Sequence, residues 1–298
     1  MRIGLLGTGP WARRAHAPAL AGHPDVEFTG VWGRRPEAAA ALAEEYATTA
    51  YRDADALVAA SDAVALALPP DVQPDLAVRA ARAGRHLLLD KPLALTVEQA
   101  RRVADAVDDA QVAAVVFFTL RFRPAVQEWL DRQAALGGWF TARADWLAAV
   151  FTADTASPYA ASPWRREHGA LWDVGPHALS VLLPVLGDVV EVTAAHGPGD
   201  TTQLFLRHDR GAASSLTLSL TAPPAAAGVT VELRGDHGVA TLPADDGEGP
   251  VPALRRAVDA LAEAARTGRP HPCDPRFALR VTQLLAQAGH LTLRRETP

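Results

Sequence analysis

The first 120 or so residues alternate between short apolar runs and helix-forming stretches. "RIGLLG" is an apolar run ending in Gly, followed by a helical stretch carrying Ala, Arg and His, and then by "EFTGVWG" as a second strand. "EAAAALAEEY" is rich in strong helix formers. "AVALALP" is stopped by Pro69 and Pro70, and "PDLAVRAARAG" reads as a helix with a Gly stop at Gly84. "HLLLDKP" closes at Pro92, "TVEQARRVADAVDDA" opens with the capping-box spacing of Thr96 and Gln99, and "VAAVVFF" is a further strand. Continuous apolar strands separated by helices predict a parallel sheet covered on both faces.

The pattern changes beyond residue 120. "RPAVQEWLDRQAALGG" predicts a helix ending at Gly137 and Gly138, and "WFTARADWL" predicts a strand. The apolar "GALWDVGPHALSVLL" predicts a helix whose start is set by Pro176. Then come "DVVEVTAAH", "TTQLFLRH", "SSLTLSLTA", "VTVELRG" and "GVATLP", several with period-two alternation. Leu216, Leu218 and Leu220 point one way, and Thr217, Ser219 and Thr221 the other. Consecutive strands with turns between them predict a largely antiparallel sheet with a polar Ser/Thr face, open to solvent or to a second subunit. Two late helices, near 253–267 and 275–294, close the chain. The fold class is therefore α/β: a parallel N-terminal sheet, residues 1–120, then a second α/β domain over 121–298 with an open, mainly antiparallel sheet.

Composition narrows the function classes. The 298 residues are 49% hydrophobic and 21% charged, enough to bury a core in each of two domains. A formal charge of −5 without a basic block argues against a nucleic-acid partner. The longest apolar runs fall short of the roughly 18 residues that a membrane span needs. The N-terminus enters a strand at once, which leaves no room for a signal segment. The single Cys273 excludes an intrachain disulfide and fits a reducing compartment. A cytoplasmic enzyme with no membrane partner is expected.

The strongest local motif is "GTGPWA", with Gly7, Thr8, Gly9, Pro10 and Trp11 leading to Ala12. It has the spacing of a dinucleotide fingerprint: the first Gly for a tight turn, the second for close approach of a pyrophosphate, the small third residue for helix–sheet packing. The next strand ends Gly33-Arg34-Arg35, where a carboxylate for a ribose 2′-hydroxyl is usual. Two guanidiniums there fit a 2′-phosphate, hence NADP over NAD; they also fit two solvated surface arginines. Asp90, Lys91 and Pro92 end a later strand, the edge at which ligands of parallel sheets collect. Asp173 and His177 lie four residues apart, which suits either an N-capped helix with a histidine on its face or a proton-transfer pair. No metal site is called for.

As a set, these stretches resemble the glucose–fructose oxidoreductase/inositol dehydrogenase/MocA (Gfo/Idh/MocA) family. The matches are "GTGPWA" with "HAPAL", "LALPPDVQ", "AGRHLLLDKPLALTVEQA", "LRFRP" and "GALWDVGPHALSVLLPVLG", in family order along nearly the whole chain. The resemblance implies a Rossmann domain, a second domain with an open sheet, and NAD(P)-dependent hydride transfer at an oxygen-bearing carbon, often of a sugar or cyclitol. It implies that Lys91, Asp173 and His177 carry the chemistry and that Lys91–Pro92 is a cis peptide. It assigns Leu68, Pro69, Pro70, Gln73 and Asp90 to the cofactor side, with Asp90 in place of the usual Glu and Gln73 in place of a frequent His. Trp164 and Arg165 match a pair that precedes the aspartate, and with Arg121 they are candidate substrate contacts. Arg166 and His168 add cationic character and suit an anionic substrate. The expected assembly is a homodimer or homotetramer through the second sheet. Two other readings share the fold: a non-catalytic NADP-binding regulator, and a reductase of imines or conjugated carbonyls.

Overall fold

The computed structural model describes residues 1–152 and 157–293. They form two compact units. The first comprises Met1–Phe122 with Asp246–Leu279, and the second Arg123–Asp245 with the helix continuing from Arg280. The boundary expected near 120 thus lies at Phe122, but residues 246–279, read as part of the second domain, belong to the first. The reason is packing. Helix α9 (Pro250–Thr267) lays Leu254, Ala257, Val258 and Leu261 against strands of the first sheet.

The first unit is built on a six-stranded sheet: β1 (Arg2–Leu6), β2 (Glu27–Trp32), β3 (Thr49–Tyr51), β4 (Ala63–Leu66), β5 (His86–Asp90) and β6 (Ala114–Phe117). Their order is β3-β2-β1-β4-β5-β6 and all pairs are parallel. The order reverses between β1 and β4, so the crevice for a ligand opens at the carboxyl ends of the central strands. Strands β4 and β6 are buried at every position, which is why they read as continuous apolar runs. The connecting helices are α1 (Ala17–Ala21), entered by a wide π turn over Ala12–His16, then α2 (Pro36–Glu45), α3 (Ala54–Ala60), α4 (Gln73–Arg82) and α5 (Val97–Ala110). The capping box forms as expected: the Gln99 amide donates to Thr96 Oγ1 at 3.2 Å. Ala100, Val103, Ala104 and Val107 then make the buried stripe of α5. Strand β3 and helix α3 escape the hydrophobic pattern, because β3 has only three residues, none of them buried.

The second unit has helices α6 (Pro124–Leu136), α7 (Pro163–Asp173) and α8 (Gly175–Leu186), and six strands: β7 (Trp139–Leu147), β8 (Val189–His196), β9 (Thr202–His208), β10 (Ala213–Ser219), β11 (Gly228–Gly235) and β12 (Gly238–Thr241). The strand order is β12-β11-β7-β10-β9-β8, antiparallel except for the β7–β10 pair. Leu204, Leu206, Leu216, Leu218, Val231 and Leu233 are buried on one face of this sheet, where α7 packs on β10 and α8 on β7. Across the other face run Thr193, Phe205, Ser215, Arg143 and Glu232, in register on five neighbouring strands. The final helix, α10 (Pro275–Leu293), begins in the first unit and continues in the second.

Candidate active site

The loop after β1 has the properties that pyrophosphate binding demands. Gly7 sits at φ +133°, and a Cβ there would lie 2.3 Å from the Ala67 carbonyl oxygen, so only glycine makes this turn. Its amide donates to Trp32 O at 2.8 Å, tying the loop to the end of β2. A Cβ on Gly9 would meet nothing within 4 Å, which leaves that side open to a ligand. Ala12 is fully buried, as close helix–sheet packing requires. These residues fit a dinucleotide. Thr8, Gly9, Pro10 and Trp11 would hold its phosphates, and Leu68 and Pro69, half-buried after β4, line the same sheet edge. Gly33 packs on Thr8, where a Cβ would come within 2.7 Å of Thr8 Cγ2. Arg34 and Arg35, next in the chain, are exposed.

Lys91 follows β5 in a turn whose Lys91–Pro92 peptide is cis, as the resemblance implied. This turn is clamped from within. Gln73, the first residue of α4, is completely buried. Its Oε1 accepts from the Asp90 amide at 2.8 Å, and its Nε2 donates to the carbonyls of Asp90 (2.9 Å), Leu93 (3.1 Å) and Pro92 (3.4 Å). The expectation that Gln73 touches the cofactor is corrected here: both ends of its amide are spent on the main chain, so it holds the turn. Pro70 is buried too.

Asp90 is likewise engaged inside the unit. Its Oδ1 accepts from Trp11 Nε1 at 3.2 Å, and its Oδ2 lies 3.3 Å from His16 Nε2. His16 is fully buried, with its ring edge-on to Phe117. A shorter carboxylate than the usual Glu thus reaches back to the first helical turn, linking the fingerprint loop to the Lys91 turn. His16 carried a signal in the sequence, a lone imidazole in the apolar "RAHAPAL", but nothing there named its partner 74 residues on.

Asp173 and His177 flank a helix junction in the second unit. Asp173 is not an N-cap, as the spacing suggested. It is the last residue of α7, and Val174, with no capping side chain, links it to α8. Asp173 is buried, and its Oδ2 accepts from Arg165 Nε at 3.0 Å. His177 lies flat on Trp146 of β7, with ring centroids 5.4 Å apart and an interplanar angle of 9°. A Cβ on Gly175 would press on Leu285 at 2.9 Å, so this glycine serves helix packing.

The arginines separate. Arg165 is stacked between Trp164 and Tyr159, its guanidinium carbon 4.4 and 4.8 Å from their ring centroids. Arg166 lies over Phe151. Arg121 belongs to the first unit and is buried there over Phe277, 5.8 Å from the ring centroid. It is packed into that unit and not displayed for a substrate. Beside it, burial and then the Arg121 charge push His271 down to about 4, and burial pushes the Cys273 thiol up to about 11. Cys273 is fully buried, and a thiol held in its protonated form there is a poor nucleophile.

Residues 1–118 match the family described as oxidoreductase family, NAD-binding Rossmann fold, and residues 125–241 match the GFO/IDH/MocA C-terminal domain. The chain belongs to the Gfo/Idh/MocA family. Among Gfo/Idh/MocA relatives, inositol 2-dehydrogenase of Rhizobium meliloti (strain 1021) is 37% identical over 136 residues, 44% of this chain and 41% of that one. The dTDP-3,4-didehydro-2,6-dideoxy-alpha-D-glucose 3-reductase of Streptomyces violaceoruber is 30% identical over 218 residues, 70% and 58% of the two chains. These matches span about half the length of the curated relatives. In fold, the chain is similar to the WlbA dehydrogenase from Bordetella pertussis, solved with NADH and UDP-GlcNAcA, with a TM-score of 0.85 at 22% identity over 100% of this chain and 97% of that one. GenD2 from gentamicin A biosynthesis, solved with NAD, gives a TM-score of 0.84 at 22% identity, over 99% and 95%.

Proposed function

We propose that the protein is an NADP-dependent oxidoreductase that interconverts a hydroxyl and a carbonyl on a sugar, a cyclitol or a related small polar metabolite. The observation that carries this reading is the Trp11–Asp90 hydrogen bond. It ties the glycine loop that fits a pyrophosphate to the turn bearing Lys91, at the ligand-binding edge of the sheet. Relatives that act on inositol and on a dTDP-sugar support the substrate class.

The nicotinamide, when bound, supplies or accepts the hydride. What this chain contributes is a proton and an oriented oxygen. In this reading His177 Nε2, in the second unit, exchanges the proton of the substrate hydroxyl, and Lys91 Nζ, in the first, stabilises negative charge that develops on oxygen. Asp173, with one oxygen engaged by Arg165, fixes the polar side of that site. The absence of a carboxylate after β2, with Arg34 and Arg35 exposed in its place, supports a 2′-phosphate and therefore NADP.

The test is an absorbance assay of NADPH and NADH formation and consumption across cyclitols, free and nucleotide-activated sugars, and keto acids, repeated with Lys91→Met and His177→Ala. Either variant is expected to lose about 10²- to 10⁴-fold in turnover, the usual scale of acid–base assistance. Near-normal turnover in His177→Ala would overturn the assignment of the proton. Tight cofactor binding without turnover of any compound would favour the regulator reading instead.

A further inference from the structure

We infer that Asp200 is the positioning residue of the Asp173/His177 segment. It stands at the tip of the hairpin between β8 and β9, 27 residues from Asp173 in sequence, and belongs to no motif. Its carboxylate is saturated. Oδ1 accepts from Ser219 Oγ (3.0 Å), the Leu220 amide (2.9 Å), the Thr221 amide (3.1 Å) and Thr221 Oγ1 (2.8 Å). Oδ2 accepts from the Ala170 amide (3.1 Å) and shares the Leu220 amide (3.1 Å).

Two things are thereby joined. Ser219 ends β10, with Leu220 and Thr221 directly after it, and β10 pairs in parallel with β7 and sets Leu218 opposite Trp146, the ring on which His177 lies. Ala170 is the first residue after a break in α7, where Gly169 takes φ +61° and ψ −159°. The amides that begin the helical segment after this break lack intrahelical acceptors. Asp200 supplies one, and the segment it starts carries Asp173 at its end and leads directly into His177. One carboxylate therefore sets the register between the His177-bearing helix and the strand pair that holds the Trp146 ring. A shift of about 1 Å in such a register is enough to cost on the order of a hundredfold in rate. The inference rests on the reading of His177 as the acid/base, so its first readout is independent of turnover.

Asp200→Asn separates anchoring from positioning. With four donors at Oδ1 and two at Oδ2, the amide oxygen takes the Oδ1 place, and Nδ2 then faces the Ala170 amide, donor against donor. The hairpin stays anchored to β10 while the bond to α7 is lost; Asp200→Ala loses both. The experiment is proton NMR of the imidazole Cε1–H signals in the full-length protein, with the His177 signal assigned by its absence in His177→Ala. Stacked on Trp146, that proton has a ring-current shift in wild type. Asp200→Asn is expected to keep the wild-type melting temperature within a few degrees, to move the His177 signal toward the free-imidazole position, and to lower kcat about ten- to hundredfold with KM changed less. Asp200→Glu, which can reach Ala170 again, should restore part of the shift. A wild-type His177 signal in Asp200→Asn overturns the inference. A moved signal with undiminished kcat upholds the positioning by Asp200 and overturns instead the role of His177.

Discussion

Arg165 holds Asp173 through a 3.0 Å bond from Nε to Oδ2, with both side chains largely buried and the guanidinium stacked between Trp164 and Tyr159. Stacking on two rings fixes the plane of the guanidinium, so the carboxylate is met by a preset donor. Breaking a buried pair from one side leaves a charge without compensation, which costs about 3–5 kcal/mol.

Arg165→Ala should therefore destabilise the second unit by about 3 kcal/mol, and Arg165→Lys, which keeps charge but not the planar fork, by less. Urea unfolding of both variants, with Asp173→Asn and the double variant completing a cycle, measures this. A coupling energy near zero would show that the two side chains are neighbours without being partners.

Gln73→Leu keeps the volume of the clamp and removes its hydrogen bonds. The Asp90 amide and the carbonyls at Asp90, Pro92 and Leu93 lose a buried partner, and each such group costs about 1–3 kcal/mol. With four groups on buried residues left unpaired, the expected loss is about 4 kcal/mol or more in unfolding free energy. Turnover should fall with it, because Lys91 rides on that turn. Wild-type stability in Gln73→Leu would refute the clamp.

Acid should loosen the first unit through His271. Burial and Arg121 hold its pKa at about 4, and its Nδ1 accepts from the Cys273 amide, which requires the neutral ring. The unfolded chain binds this proton at the ordinary value of about 6.5. Stability is thus complete above that value and is lost as pH falls from about 6.5 towards 4, because over this window only the unfolded state gains the proton. Melting temperatures from pH 8 to pH 4 should fall less steeply in His271→Asn, whose side-chain oxygen can accept from the same amide. Parallel curves for the two proteins would remove His271 as the cause.

The cofactor proposal predicts that the Arg34→Ala, Arg35→Ala double variant loses NADPH affinity about ten- to hundredfold, the worth of one or two charge-assisted hydrogen bonds, while NADH affinity stays within about threefold. Fluorescence titration of both cofactors reads this directly. Equal wild-type affinities for NADH and NADPH would count against it.

The sequence by itself determined the outline of both sheets. Ile3–Leu6, Ala63–Leu66 and Ala114–Phe117 are buried at every position, and strands covered on two faces have no polar positions to interrupt them. Gly7 was legible because a backbone at φ +133° against a carbonyl admits no other residue. Lys91, Asp173 and His177 stand in the sequence as a combination in family order. Short-range physics ran out at strand β3, too short to show a period, and at residues 246–279, whose apolar stripe suits either unit and packs on the first.

Only the tertiary structure decided what each polar group does. Asp173 ends one helix instead of capping the next, because Gly169 breaks α7 and restarts it at Ala170. Arg121 and Arg165 look alike in sequence; one is buried over Phe277 and the other grips Asp173. Gln73, His16 and Asp200 find their partners 17, 74 and 19–30 residues away. Hydrophobic periodicity records which face of an element is dry, and it is written locally. A hydrogen bond between distant residues leaves no periodic trace, so it becomes visible only once the chain has folded and brought donor and acceptor together.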